Sequence, residues 1–366
     1  MQSCLSTSSA PRAHVESILH SMAPSAVIDA GGDRVRLKGG VPVEDGDAVV
    51  ITTSGTTGTP KGVIHTHDSM TAASRITAEA TRTTPDSHWL ACLPLAHIGG
   101  FSVITRALHA QAGLTVTDGF NADDFVSVAQ SGGTHVSLVP TVLGRVSVTG
   151  WELVLLGGSS IPDERPTNCI ATYGMTETFG GVVYDGTPLT GVDVRTDAHG
   201  VMMIRSPSLF RGYRDPGGLT TPAPIGADGF YPSGDVGSVD PFGQVTVDGR
   251  SDDLIISGGV KIWPEPLERV ICGHPSVHEC AVVGSPDPEW GQRVVAVVVP
   301  ESPTDMPTLE SIRDLVKATM PAASAPKELV ITDTLPKTSS GKIRRRLAVQ
   351  VDIEPPSGGS HHSNDS

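Results

Sequence analysis

Short β-branched and apolar runs recur through the first half of the chain, each closed by turn residues. Ala48–Thr53 (AVVITT) reads as a buried strand. Ser54–Lys61 (SGTTGTPK) is a loop by composition, and Gly62–His65 a second strand. Met70–Thr81 carries Ala and Arg at helical spacing. Trp89–Leu93, Gly113–Thr117, His135–Val139 and Leu153–Leu156 are further short apolar runs before turns. Strands alternating with helical stretches predict an α/β layer with a mostly parallel sheet. After Thr190 the rhythm changes. Val192–Arg195, Val201–Arg205, Gly229–Pro232 and Gln244–Val247 are short strands separated by Gly, Pro and Asp, a β-rich subdomain. A Gly-Gly turn stands at Gly258–Gly259. From Pro264 the order is helix (264–273), strand (278–284), strand (292–299), helix (307–318), strand (328–332), a small α+β unit. The boundary is expected near Asp252. That gives a large N-terminal domain, 1–251, a small C-terminal domain, 252–350, and a Pro, Gly and Ser-rich tail, 351–366, expected to be disordered. No internal repeat is visible.

The length, 366 residues, is consistent with two domains. With 26 Lys and Arg against 40 Asp and Glu the formal net charge is −14, which argues against sequence-independent binding to nucleic acid or anionic membrane. A local cationic pocket for an anionic ligand is still compatible with it. The cysteines, Cys4, Cys92, Cys169, Cys272 and Cys280, form no C-x-x-C pair and read as reduced, mostly buried thiols. That also speaks against a zinc site. His361 and His362, in the tail, read as solvent-exposed. No basic start followed by an apolar run marks a signal peptide, and no apolar stretch is long enough for a membrane span, so the expected compartment is the cytoplasm. No G-x-G-x-x-G opens a helix after a strand, so a dehydrogenase is not expected.

Five segments could carry chemistry. Thr52–Gly62 (TTSGTTGTPKG) gathers hydroxyls, glycines and Lys61 after a strand. Glycines let backbone N–H groups approach an anion, hydroxyls donate to phosphate oxygens, and Lys61 adds a point charge. A plain polar turn fits as well. In Thr172–Thr178 (TYGMTET), Tyr173 could stack on a base and Glu177 is a hard oxygen ligand suited to Mg²⁺. The plainer account is a helix start, with Thr176 as its cap and Glu177 in the first turn. Tyr231–Asp235 (YPSGD) puts Asp235 in a turn, where a carboxylate could accept ribose hydroxyls or close an Asx-turn. Gly249–Lys261 (GRSDDLIISGGVK) sets Arg250 beside Asp252 and Asp253, which alone would be a surface salt bridge. Pro336–Arg346 (PKTSSGKIRRR) is a Gly/Ser turn opening a basic segment.

Taken in order, TTSGTTGTPKG, PLAHIGG, LGGSS, TYGMTET, SGD, GRSDDLIISGG and PKTSSGK resemble the AMP-forming acyl-CoA synthetase (adenylate-forming) superfamily, from about Asp47 to Arg346. Gly180–Arg195 and the short length further resemble its actinobacterial-type o-succinylbenzoate–CoA ligases of menaquinone synthesis. The resemblance implies that the small C-terminal domain is a mobile lid. It implies that Thr53, Ser54, Gly55, Thr56, Thr57, Gly58 and Lys61 hold the β- and γ-phosphates of ATP. His97 resembles the gate beside the acyl pocket, and Gly157, Gly158 and Ser159 the lining of the adenine and acyl groups. Tyr173 and Gly174 would meet the adenine, Thr176 the α-phosphate, and Glu177 would bind Mg²⁺. Asp235 and Arg250 would hold the ribose, Asp252 resembles the hinge, and Lys342 the lysine that bridges carboxylate and α-phosphate.

The implied reaction is ATP-dependent activation of a carboxylic acid to an acyl-adenylate, followed by transfer to CoA. Other readings stay open: another aryl or fatty acid as substrate, a carrier-protein thiol as acceptor, or a nucleotide-binding relative without turnover. Relatives are dimers or monomers, so a homodimer is one option. Arg106, Arg145 and His109 are available by composition for the far carboxylate of a dicarboxylic acid. Two departures from the pattern stand out. The phosphate loop begins near residue 53, so the family's N-terminal subdomain is expected to be largely missing. Only Ile161–Asn168, with Pro162 and Pro166, is available for the helix expected between LGGSS and TYGMTET.

Overall fold

The computed structural model describes residues 12–29, 31–54, 60–158, 161–162, 164–337 and 343–348. The chain forms two compact units, Met1–Val247 and Asp248–Ser366.

The first unit is built on a seven-stranded sheet. In spatial order its strands are Thr187–Pro188, Gly180–Tyr184, Cys169–Met175, Leu153–Leu156, His135–Leu138, His88–Ala91 and Gly113–Val116. The five from Cys169–Met175 to Gly113–Val116 run parallel, and Gly180–Tyr184 returns antiparallel. The three central ones, Leu153–Leu156, His135–Leu138 and His88–Ala91, are buried on both faces along nearly their whole length, which is why they read as short apolar runs rather than alternating ones. Trp89, Ala91 and Leu155 enter one core cluster, with Val103 and Ala107 of the helix Ile98–His109 and Ile76 of the helix His67–Ala80. Leu90, Val136, Leu138, Val154 and Leu156 enter the other, with Phe125 of the helix Ala122–Gln130. Between Leu156 and Cys169 the described residues hold no helix, in keeping with the two prolines there.

A second sheet, entirely antiparallel, orders Thr220–Pro222, Gly212–Arg214, Pro60–Thr66 and Asp47–Ser54. Here Pro60 and Lys61 belong to the strand, not to the loop expected from composition. The strand extends because Ser54 and Thr53 pair with Pro60 and Lys61, while Gly212–Arg214 pairs its other edge from Gly62 on. A third group joins Asp193–Thr196, Val201–Arg205 and Tyr231–Val239. Asp235 lies inside that last strand, not in a turn. Val201 faces Val236 while Met203 faces Pro232, so two steps on one strand span four on the other. Gly234, at φ +74°, absorbs the bulge.

In the second unit, Val277–Asp287 and Gly291–Pro300 form a long hairpin, with Glu328–Ile331 parallel to the latter. The helices Pro264–Cys272 and Leu309–Thr319 cover one face, burying Leu267, Ile271, Ile312 and Val316 against Val282, Val294 and Val298. The alternate residues, Ala281, Val283, Val295 and Val297, pack with Leu335 and Ala348 on the other face. Gly258 and Gly259, at φ +57° and +79°, make the tight turn between Ile255–Ser257 and Val260–Ile262. Among the described residues no helix is long and apolar enough to cross a membrane. Cys92, Cys169 and Cys280 are buried free thiols and Cys272 is an exposed one. Cys4 and the tail histidines, His361 and His362, lie outside the described residues.

Candidate active site

Three of the segments singled out in the first unit, PLAHIGG, LGGSS and TYGMTET, lie at the carboxyl ends of parallel strands, where ligands bind in open α/β sheets. After Leu153–Leu156 comes Gly157, whose N–H bonds the Leu138 carbonyl at 3.2 Å. A Cβ there would stand 2.7 Å from Thr172 Oγ1, and Gly158 needs φ +93°. After His88–Ala91 the chain turns into the helix Ile98–His109. His97 takes the N-cap position with extended backbone and no side-chain cap bond. Gly100 is demanded by backbone proximity, because a Cβ would be 2.4 Å from the Leu93 carbonyl oxygen.

After Cys169–Met175 the chain makes one 3₁₀ turn, Thr176–Thr178, passes Phe179 in the left-handed region (φ +56°), and returns as Gly180–Tyr184. The N-cap is Met175, not Thr176. No α-helix starts here, because the Thr178 hydroxyl sits 2.6 Å from the Gly180 carbonyl and ties the turn to the returning strand. Gly174 faces that strand so closely that a Cβ would meet the Gly180 carbonyl at 2.0 Å.

Several partners hold this turn. Tyr213 donates its hydroxyl to Glu177 Oε1 at 3.0 Å and stands 3.1 Å from the Tyr231 hydroxyl. Burial and the adjacent Glu177 charge push the Tyr213 hydroxyl far above its ordinary pKa, so it stays a donor. The Phe210 N–H donates to the Glu177 carbonyl at 2.9 Å, and the Phe210 ring packs edge-on against both tyrosines. Lys61 Nζ lies 5.7 Å from the centre of the Tyr213 ring. Across the strand pair, Thr53 is the register partner of Lys61. Tyr173 donates to Asp235 Oδ2 at 2.7 Å, so the expected base-stacking and ribose-holding residues meet directly.

The structure therefore gathers Lys61, Thr53, Tyr173, Gly174, Thr176, Glu177 and Asp235 in one unit. Gly55, Thr56, Thr57, Gly58, Ser159 and Lys342 lie outside the described residues, as does the Ser54 side chain. Arg250, Asp252 and Lys342 belong to the second unit. Arg250 ends the strand Val245–Arg250, and Asp252 is exposed in the 3₁₀ turn Ser251–Asp253. The salt bridge expected between Arg250 and the two aspartates is not how Asp253 is used: its carboxylate meets Arg345 Nη1 at 2.7 Å. Arg345 is also bidentate to Glu268, at 3.0 and 2.8 Å.

Arg106 is no acyl-pocket cation. It is 3% exposed, donates through Nε to Thr77 Oγ1 at 3.1 Å and lies 4.6 Å over the Trp89 ring, inside the core. His109 is exposed on the last turn of the same helix. Tyr213, Tyr231 and His65 carry the site and were not assigned by sequence. Tyr213 and Glu177 are 36 positions apart, and only the pairing of Gly212–Arg214 with Pro60–Thr66 brings that tyrosine in.

Among the described residues no group of three His, Cys, Asp or Glu side chains is placed to hold a metal. His274 and His278 do stand four apart, but His278 pairs with Glu301 and His274 Nδ1 accepts from the Ser276 N–H. A single hard carboxylate at Glu177 fits Mg²⁺, which keeps most of its ligands from water and substrate phosphates.

The family described as AMP-binding enzyme matches residues 10–214, and the AMP-binding enzyme C-terminal domain matches residues 266–342. The chain belongs to the AMP-binding enzyme family. Among relatives of this AMP-binding enzyme, a probable 2-succinylbenzoate–CoA ligase of Mycobacterium tuberculosis (strain H37Rv) is 35% identical over 339 residues, covering 86% of this chain and 87% of the relative. The 2-succinylbenzoate–CoA ligase of Lactococcus lactis is 31% identical, covering 82% of this chain and 70% of the relative. Among solved structures, the o-succinylbenzoate CoA synthetase (MenE) from Bacillus subtilis in complex with the acyl-adenylate intermediate OSB-AMP aligns with TM-score 0.75 at 26% identity, over 84% of this chain and 71% of that one. The same synthetase in complex with ATP and magnesium ion aligns with TM-score 0.76 at 26% identity, over 85% of this chain and 72% of that one.

Proposed function

We propose that this AMP-binding enzyme activates o-succinylbenzoate with ATP and passes the acyl group to CoA, a step of menaquinone biosynthesis in the cytoplasm. The observation that carries the reaction class is the turn Thr176–Glu177, held by Tyr213 and set beside Lys61 and the Tyr173–Asp235 pair. The choice of acid rests on the names of relatives aligned over more than four-fifths of the chain.

A carboxylate is a poor acyl donor, because its leaving group would be oxide. In the first half-reaction a substrate carboxylate oxygen attacks the α-phosphorus of ATP. The bond to pyrophosphate breaks and an acyl-adenylate forms. Two anions meet, so positive charge and donors must stand where charge develops. Lys61 and the hydroxyls around Thr53 suit the β- and γ-phosphates, Thr176 the α-phosphate, and Glu177 a magnesium ion. Mg²⁺, when bound, neutralises phosphate charge. Asp235, oriented by the Tyr173 hydroxyl, suits the ribose together with Arg250. Lys342 supplies the cation between carboxylate and α-phosphate. In the second half-reaction the CoA thiol, losing its proton, attacks the acyl carbon and AMP leaves. Lys342 is not needed there, and rotation about Asp252 is the step that removes it.

The test is incubation with ATP, Mg²⁺, CoA and a panel of carboxylic acids, following pyrophosphate, AMP and thioester. o-Succinylbenzoyl-CoA is the expected product. No AMP with any acid would sink the reaction class. Thioester only from fatty or simple aryl acids would sink the substrate. Acyl-adenylate without a CoA thioester would point to a carrier-protein acceptor.

A further inference from the structure

His65 belongs to none of the motifs yet stands at the centre of the site's framework. It lies on the strand Pro60–Thr66, four positions after Lys61 and therefore on the same face of that strand. Its side chain is fully buried. Nε2 is 2.7 Å from the Thr176 carbonyl oxygen, and Nδ1 is 3.2 Å from Ser69 Oγ. The ring meets Phe179 edge-on at 4.8 Å. A carbonyl oxygen only accepts, so the short contact assigns the proton to Nε2, and Nδ1 accepts from the Ser69 hydroxyl. Burial lowers the imidazole pKa to about 4, consistent with a neutral ring at neutral pH.

We infer that His65 is a positioning residue for the nucleotide-binding turn: its Nε2–H fixes the peptide between Thr176 and Glu177 and so links the strand leaving the phosphate loop to the residues that meet the α-phosphate and the metal. This rests on the function proposed above. The peptide unit is planar and trans, so holding the Thr176 carbonyl toward His65 directs the Glu177 N–H the opposite way and sets the Cα–Cβ directions of both residues. The Glu177 carbonyl is held independently by the Phe210 N–H, and its carboxylate by Tyr213. His65 is the member of this set that reaches the turn from the strand bearing Lys61. Removing it frees one end of the turn without touching a group that meets substrate.

The experiment compares the parent chain with His65→Gln, whose amide N–H can replace Nε2–H, and His65→Leu, which cannot donate. Mg²⁺·ATP binding is measured by calorimetry, and adenylate formation separately from transfer of a preformed acyl-adenylate to CoA. His65→Leu should weaken Mg²⁺·ATP binding about tenfold, the worth of one hydrogen bond. It should slow adenylate formation about a hundredfold, the usual cost of a small misplacement. Transfer should change far less, and His65→Gln should stay close to the parent in all three. Equal Mg²⁺·ATP binding by parent and His65→Leu overturns the inference, as do Gln and Leu variants that behave alike. If His65→Leu does not fold, His65→Asn, too short to reach Thr176, replaces it, and equality with His65→Gln overturns the role. A parent that binds Mg²⁺·ATP but adenylates no acid sinks the proposed reaction alone, and calorimetry still decides His65. A parent that does not bind Mg²⁺·ATP overturns both.

Discussion

Two buried histidines sit in near-identical surroundings at different places in the first unit. His65 has Nε2 on the Thr176 carbonyl at 2.7 Å, Nδ1 by the Ser69 hydroxyl and a ring contact to Phe179 at 4.8 Å. His135 has Nε2 on the Thr81 carbonyl at 3.0 Å, Nδ1 by the Thr134 hydroxyl and a ring contact to Trp89 at 4.8 Å. Burial lowers both pKa values. His135, however, opens a parallel strand at its amino end, and the carbonyl it holds ends a helix. His65 holds a turn that follows the carboxyl end of one. The same local chemistry is structural in one place and tied to the site in the other. What separates them is which carbonyl is held, not how the ring is satisfied.

The largest expected effect tests the site end. Lys342→Ala should lower adenylate formation about 10²–10³-fold, as loss of a charge-stabilising group does, while transfer from preformed acyl-adenylate is largely retained. Equal loss of both steps, measured by pyrophosphate release and by thioester formation, would contradict the two-step division of labour.

Next comes acid stability. The folded pKa of His65, about 4, lies below its ordinary value of 6.5, so the unfolded chain binds the extra proton first. Stability should rise with pH between about 4 and 6.5 and be flat outside that window for this group, a swing of roughly 3 kcal/mol. His65→Gln should remove that part of the slope in denaturant titrations across pH. His135→Gln should also flatten the acid limb, yet leave adenylation unchanged. If His135→Leu slows adenylation as much as His65→Leu does, the contrast between the two rings is void.

Tyr213→Phe leaves Glu177 without its hydroxyl partner and should cost about tenfold in adenylation. An unchanged pyrophosphate-release rate would remove Tyr213 from the site. The smallest effect concerns Arg106, whose Nη1 has no hydrogen-bond partner although it is buried. A buried, unpaired charge is costly, so Arg106→Met should leave the melting temperature unchanged or raise it, with activity intact. A clear loss of activity would make Arg106 a candidate for the acyl pocket after all.

How much was legible in advance follows from sequence distance. Leu153–Leu156 has the bounds its apolar run predicts, because a strand buried on both faces announces itself locally. Glu177 was visible as a candidate ligand, being a carboxylate in a short polar motif. Tyr213 was not, because its role exists only across a strand pairing. Asp235 was misread as a turn residue: a Gly beside an Asp marks a bulge as readily as a turn, and the register against Val201 and Met203 decides between them. Arg106 stays open at the level of sequence because a cation on an apolar helix looks the same whether it lines a cavity or lies over Trp89.

The strands His88–Ala91, His135–Leu138 and Leu153–Leu156 are four residues each. At 3.3 Å per residue such a strand is about 13 Å long. Physiological salt damps a charge over about 8 Å. The sheet is thus a thin partition. An ionic substitution at its rear rim, around Glu152 and His135, would be felt faintly on the nucleotide side, and more strongly as salt is withdrawn.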